Sequence, residues 1–425
     1  MFIFCSGRIS KKMKKQALVI IGIAVAALAV IGLYFLYLNV FVNKHQLDLV
    51  HKTVAGSEYR TIASDSSIMP SYMWRRMESI LMDGDYLMSD YMLEGRLATQ
   101  EAEPSDTFLL KDQSYLLLKY LADGNRSSSR KLVKRINEDF LNEDGSYRAM
   151  ISKDGTEDLT YTNSDELAFL EAYIEYYSAY GDYSDLARIK GLIDIVFDEA
   201  GMIRPEPLKS TTFGSDALIS EDEAEDEETY DFSGVKISDV NLELIANLEK
   251  NGLIKEGVTD RYSQIVLSSL VSPDIPYYAY AYYINAAGVT DYVYSGTEVA
   301  TVSVGDSLKT MINLTRADLL SDAVYYQFKT NLINDGVLYS SYYLTTGLTG
   351  GEDLLGSYCD ILALARYEQD TDLFRTVCRI MNARVATKQQ SRALYLVFRS
   401  ENNRYVFYSS ENIRTYLNVN GMFAV

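Results

Sequence analysis

Hydrophobic and polar positions divide the chain into one long apolar block and a series of amphipathic stretches joined by short polar turns. From Ala17 to Leu38 no charged residue occurs, a length that crosses a hydrocarbon core of about 30 Å as a helix. Beyond residue 65 apolar side chains recur three and four apart, the period of a helix with one buried face. Helices are predicted over 73–82, 107–123, 127–142, 165–180, 183–199, 238–250, 257–270, 316–333, 353–368 and 371–385. Most come in pairs closed by polar turns such as Asp123-Gly124-Asn125 and Gly181-Asp182. Several pairs end in Asp-Gly or Ala-Gly, and Tyr-rich stretches follow at 277–283 and 339–343. Helix pairs repeated at this spacing argue against a parallel sheet or a β-sandwich. They predict an all-α ring of paired helices, with an open solenoid as the alternative that fits such unequal repeats less well.

Charge sets the apolar block apart from the rest. Residues 1–16 carry Arg8, Lys11, Lys12, Lys14 and Lys15 and no acid, so the remaining chain carries −24 against −19 for the whole. The basic flank predicts a cytoplasmic tail at 1–16, a transmembrane anchor at 17–42 and an external C-terminal part, with a cleaved signal as the alternative. Residues 43–65 are polar without sustained periodicity and read as a stalk, leaving 66–425 as the globular domain. So acidic a domain is a poor partner for nucleic acid or anionic lipid.

Histidine and cysteine usage narrows the chemistry. The only histidines, His45 and His51, fall in the stalk, which excludes a Ser-His-Asp triad, a Cys-His pair or a His-ligated zinc in the domain. No metal or other cofactor is expected. Cys359 and Cys378 lie on consecutive helical patterns, either as a disulfide or as buried thiols. The acidic run 220–228 reads as a solvated loop rather than a cation site, for it lacks the glycine and ligand spacing of a calcium loop. The 35 tyrosines either fill the wide interior of a helical ring or offer faces on which sugars stack.

Catalysis in such a domain rests on carboxylates, and two short runs place them at helix starts: Lys111-Asp112-Gln113-Ser114-Tyr115 and Thr162-Asn163-Ser164-Asp165-Glu166. Helix N-termini favour acids, so these residues either cap helices or serve a site. In order and spacing, Asp83-Gly84, Gln113-Ser114-Tyr115, Asp144-Gly145, Asn163-Ser164-Asp165 and Gly181-Asp182 resemble the family 8 glycoside hydrolases. Within that family the likeness is to endoglucanase-like proteins of bacterial exopolysaccharide and cellulose synthesis, and it is closest over 70–200.

The resemblance implies an (α/α)6 toroid that hydrolyses a β-linked glycan with inversion. Such a site needs a protonated acid at the leaving oxygen and a carboxylate base for water about 6.5–9.5 Å away. Aligned on the motifs, Lys111 stands where the family has its general-acid Glu, and Asp112, one residue on and about 100° round the helix, is the displaced candidate. Asp239 and Glu243 are the candidate bases. Asp165 matches the position that holds the sugar at the cleavage point, and Glu166, Asn163 and Tyr115 join it as candidate substrate contacts. Three functions follow as expectations: an endoglucanase-like hydrolase of a β-glucan-like polysaccharide, a degenerate relative that binds without cutting, and a scaffold docked on a membrane polysaccharide synthase.

Overall fold

A computed structural model describes residues 11–37, 47–52, 54, 56–94, 102–153, 157–158, 162–210, 230–294, 301–344, 346–401 and 404–421. The acidic run 220–228, His45 and Cys5 lie outside the described residues. The chain forms two compact units, Met1–Leu47 and Asp48–Val425. The first contains helix α1, Lys11–Tyr37, whose stretch Ile20–Tyr37 is long and apolar enough to cross a membrane.

The second unit contains thirteen helices among the described residues: α2 (Ser57–Asp65), α3 (Pro70–Ile80), α4 (Leu110–Ala122), α5 (Arg126–Asp139), α6 (Asn163–Tyr180), α7 (Tyr183–Val196), α8 (Leu242–Lys250), α9 (Val258–Ser268), α10 (Val304–Arg316), α11 (Asp322–Asp335), α12 (Tyr358–Tyr367), α13 (Thr371–Asn382) and α14 (Ser409–Asn420). The even-numbered helices from α4 to α14 are neighbours in succession. α4 packs on α6, and α6 meets the turn Ile237–Asp239 that leads into α8; α8 packs on α10, α10 on α12 and α12 on α14, which returns to α4. Outside them lie α5, α7, α9 and α13, each against the helix before it, with α2 and α3 against α14.

Composition explains the two layers. All ten residues of α12 are buried, as befits a helix enclosed all round. On α13 only Leu373, Phe374, Val377, Cys378 and Met381 are buried, the single stripe of a helix with one face in water. Cys359 and Cys378 are buried free thiols, which resolves the disulfide alternative.

Three expectations are corrected. The domain is not purely helical: the segments between helix pairs form small antiparallel sheets of two to four strands, and the Tyr-rich runs supply strands Ile275–Tyr278, Ala281–Ile284 and Tyr339–Tyr343. Bulky aromatic side chains, with Tyr277, Tyr278, Tyr282 and Tyr342 buried, suit a strand better than a loop. Second, α10 and α14 lie where no helix was predicted, and the pattern read at 316–333 is α11 at Asp322–Asp335. The signal in α10 was Leu308, Met311, Ile312 and Leu314, all buried, interrupted in sequence by Thr310, Asn313 and Thr315.

Third, the stalk is not free of the domain. Residues 57–65 form α2, which buries Tyr59, Ile62 and Ala63. Residues 48–52 run extended along α8. Asp48 N–H donates to Asn251 Oδ1 at 2.9 Å, Val50 N–H to Asn247 Oδ1 at 2.8 Å, and Lys52 N–H to Glu243 Oε2 at 3.1 Å. Two residues of extended chain advance about 6.6 Å and four of helix about 6 Å, so alternate residues of the segment meet successive turns. His51 lies between Glu175 (2.9 Å) and Glu243 (3.2 Å). Hydrogen bonds to these two carboxylates, opposed by burial, raise its pKa to about 10.

A histidine whose folded pKa exceeds its unfolded value contributes stability that is complete below about pH 6.5 and is lost as pH rises through about 10. The side chain is 37% exposed, so after solvent screening the contribution is about 1–2 kcal/mol. His51→Gln is expected to lower the thermal midpoint of the domain at pH 6, with the gap to wild type closing toward pH 10. A gap that is constant across that range would show the imidazole to be uncharged in the fold.

Candidate functional site

A cavity of about 300 Å³ opens inside the ring of even-numbered helices. The first turns of α4 and α6 bring Lys111, Tyr115 and Ser164 to it, and the turn before α8 brings Asp239 and Asn241. Further round, α10 contributes Lys309, Asn313 and Arg316, α12 Asp360 and α14 Arg414; α6 adds Glu171 two turns in.

Asp239 is held by its backbone. Ile237 N–H donates to Tyr280 O at 3.0 Å, and Asn313 Nδ2 donates to Ser238 O at 3.0 Å, which ties the turn to α10. Asn241 then caps α8 by accepting from Leu244 N–H at 3.1 Å. Thus fixed, the Asp239 carboxylate faces the cavity with Oδ2 sealed from solvent and without a hydrogen-bond partner among the described residues. Burial raises its pKa to about 6, against the lowering pull of Lys236, Lys111 and Lys309.

The other carboxylates of the cavity are committed. Glu171 pairs with Arg316, and Asp360 with Arg414. Lys111 donates to Ser164 Oγ at 3.0 Å, and Lys309 lies 3.5 Å from Asp306 Oδ1.

Of the seven residues singled out from sequence, the cavity brings together Tyr115 and Asp239. Asp112 does not line it. Its side chain is buried with neither carboxylate oxygen hydrogen-bonded, and burial holds its pKa well above the usual range. One residue from Lys111 on the same helix, it faces a different direction, as the rotation per residue requires.

Glu243 is bound up as well. It accepts from Arg316 at 2.7 Å, from His51 and from Lys52 N–H. Burial would raise its pKa, but those partners hold it down to about 2. As a base Glu243 is corrected to a structural anion, since three partners already occupy its lone pairs. Asp165 closes the start of α6, accepting from Thr162 Oγ1 at 2.7 Å while its N–H donates back at 3.2 Å. Asn163 donates to Glu206 and Arg204 O. Glu166 accepts from Tyr147 N–H at 3.0 Å, and burial raises its pKa to about 7. These three build the start of α6 and do not face the cavity.

Lys309, Arg316, Asp360 and Arg414 were missed. Lys309, Arg316 and Arg414 sit on α10 and α14, the helices the periodicity did not reveal, and all four lie beyond the stretch of closest resemblance. A signal existed: charges stand within otherwise buried runs, Asp360 and Arg366 in α12 and Glu411 and Arg414 in α14.

No family model matches the chain, and no curated protein does. Solved structures do. An α-amylase from Clostridium perfringens is 14% identical, with 84% of this chain and 97% of that chain covered and a TM-score of 0.63. PssZ from Listeria monocytogenes is 10% identical over 82% and 94%, with a TM-score of 0.52. A β-1,3-1,4-glucanase from Paenibacillus sp. X4 is 11% identical over 89% and 97%, with a TM-score of 0.51. The class defined here is therefore a fold shared with glycosidases. At these identities the likeness is one of fold, and function must be argued from the site.

Proposed function

We propose that this chain is an (α/α)6 glycoside hydrolase, anchored to the cell membrane by α1, that takes a β-linked surface or secreted polysaccharide into the cavity. The observation that carries this reading is Asp239: an unpaired carboxylate with a pKa near 6, facing the central cavity of a fold shared with an amylase and a glucanase. At neutral pH it is ionised and suited to take a proton from water attacking the anomeric carbon. Tyr115 supplies an aromatic wall of the kind sugars stack on.

A second reading, binding without cleavage, is favoured by Lys111. It occupies the position at which the resemblance places the acid, and Glu171 and Asp360 are held by arginines. The two readings separate when release of reducing ends and binding are measured together on soluble β-1,4-glucan, mixed-linkage glucan and amylose. Release that disappears in Asp239→Asn supports the hydrolase. Binding without release supports the second reading, and Lys111→Glu, which adds a carboxylate not held by an arginine to the cavity beside Asp239, is then expected to create release. With neither binding nor release, a scaffold docking on a membrane polysaccharide synthase becomes the better account.

A further inference from the structure

In a protein whose net charge is −19, the cavity is lined by Lys111, Lys309, Arg316 and Arg414 as well as by Glu171, Asp239 and Asp360. Arg316 and Arg414 are neutralised by Glu171 and Asp360. Of the other lining groups, Lys309 has the long ion pair to Asp306, which leaves Lys111 and Asp239 without an ion-pair partner among the described residues. Among the described residues Lys111 has no carboxylate partner, only the Ser164 hydroxyl at 3.0 Å. Lys309 shares Asp306 with Ser303 Oγ (2.9 Å) and Ser238 Oγ (3.3 Å), at the longer distance of 3.5 Å. Among the described residues Asp239 Oδ2 has no hydrogen-bond partner, and Lys236, Lys111 and Lys309 lower its pKa from nearby.

Two ammonium groups from opposite sides of the ring, α4 and α10, thus line the same cavity as Asp239 without forming an ion pair with it. Inside a concave wall of low dielectric, an excess cation is costly until a ligand brings a negative charge.

We propose that the cavity selects a glycan bearing an anionic substituent, a uronate carboxylate or a phosphate ester, held between Lys111 and Lys309. This inference rests on the reading that the cavity takes a polysaccharide. The anion completes both lysines and leaves Asp239 facing the sugar ring. Lys111, standing where the resemblance implies an acid, becomes a specificity residue. The acidic surface sharpens the choice, since it repels polyanions everywhere except at a local cationic site.

The test uses the full chain in detergent and oligosaccharides of equal length: oligogalacturonate for the uronate, a phosphorylated manno-oligosaccharide for the phosphate, and a neutral cello-oligosaccharide. Wild type is expected to bind one anionic oligosaccharide about tenfold more tightly than the neutral one at low salt, the advantage shrinking as salt screens the lysines. Which anion is preferred identifies its source. Lys111→Gln should remove most of the preference and Lys111→Arg should keep it, both with unchanged thermal unfolding; Lys309→Gln provides an independent second variant. Equal or tighter binding of the neutral oligosaccharide overturns the inference while leaving the polysaccharide reading intact. Binding of no saccharide, charged or neutral, overturns both.

Discussion

Arg316→Met is expected to destabilise the domain by about 3–5 kcal/mol, the cost of removing one partner from a buried ion network. The guanidinium bridges Glu171 and Glu243, and the latter is also held by His51 and by Lys52 N–H. Its side chain is 9% exposed and that of Glu243 8%. Without the arginine, two carboxylates keep their burial and lose the counter-charge they share, with His51 left beside Glu243. The pH dependence carries the sign. Glu243 has its folded pKa depressed to about 2, so its contribution is present above the unfolded value near 4.5 and is lost as pH falls through 2. The gap between wild type and variant should therefore be widest above about pH 5 and narrow toward pH 2. Denaturant unfolding of the full chain, followed at several pH values, measures it. A cost below about 1 kcal/mol at pH 7 would mean that the network is solvated and the ring held by packing alone. Replacing Glu243 by Met in the same background should recover part of the loss, because a buried pair exchanged for apolar groups of similar volume is often neutral.

For Asp239→Asn the expected result is a loss of reducing-end release of about 10²–10⁴-fold together with a gain in stability. Asn cannot accept the proton that general base catalysis transfers. The gain follows from linkage. The folded pKa, about 6, lies above the unfolded value of 3.8, so the fold penalises the ionised form. That penalty is complete above pH 6 and absent below about pH 4. It corresponds to about 1–3 kcal/mol at pH 7. The variant should unfold later than wild type at pH 7, and the two should converge near pH 4. Activity in the wild type should rise with pH through about 6, as ionisation produces the base. Equal stability at pH 7 would show that Asp239 is solvated in the fold, and unchanged release would remove it from the mechanism.

The local signals in the sequence were strong wherever a helix has one wet face. α5, α7, α9 and α13 carry a single apolar stripe with polar caps, and Asp182, which caps α7 by accepting from Ser184 and Asp185 N–H, is as readable in the sequence as in the fold. α4, α6 and α12 were legible for a different reason, as long apolar runs opened by polar residues. α10 and α14 were not, because an enclosed helix has no wet face and its buried Thr, Asn and Ser break the period. Thr310 Oγ1 donates to Asp306 O, and Asn418 Nδ2 to Cys359 O; such partners satisfy polar side chains in the interior only once the ring is built.

The chain by itself determined the apolar segment, the paired helices and the order of motifs that carries the resemblance, since each depends on residues within a few turns of one another. Tertiary structure alone decided which of the candidate residues line the cavity. The choice of Asp239 over Glu243, four residues apart, turns on Arg316 and His51, which lie 73 and 192 residues away from Glu243 in the chain. The choice of Lys111 over Asp112 turns on which side of α4 faces the cavity. Closure of the ring brings those distant partners within hydrogen-bond distance, and at that range burial and neighbouring charge, rather than residue type, determine which carboxylate is free to act.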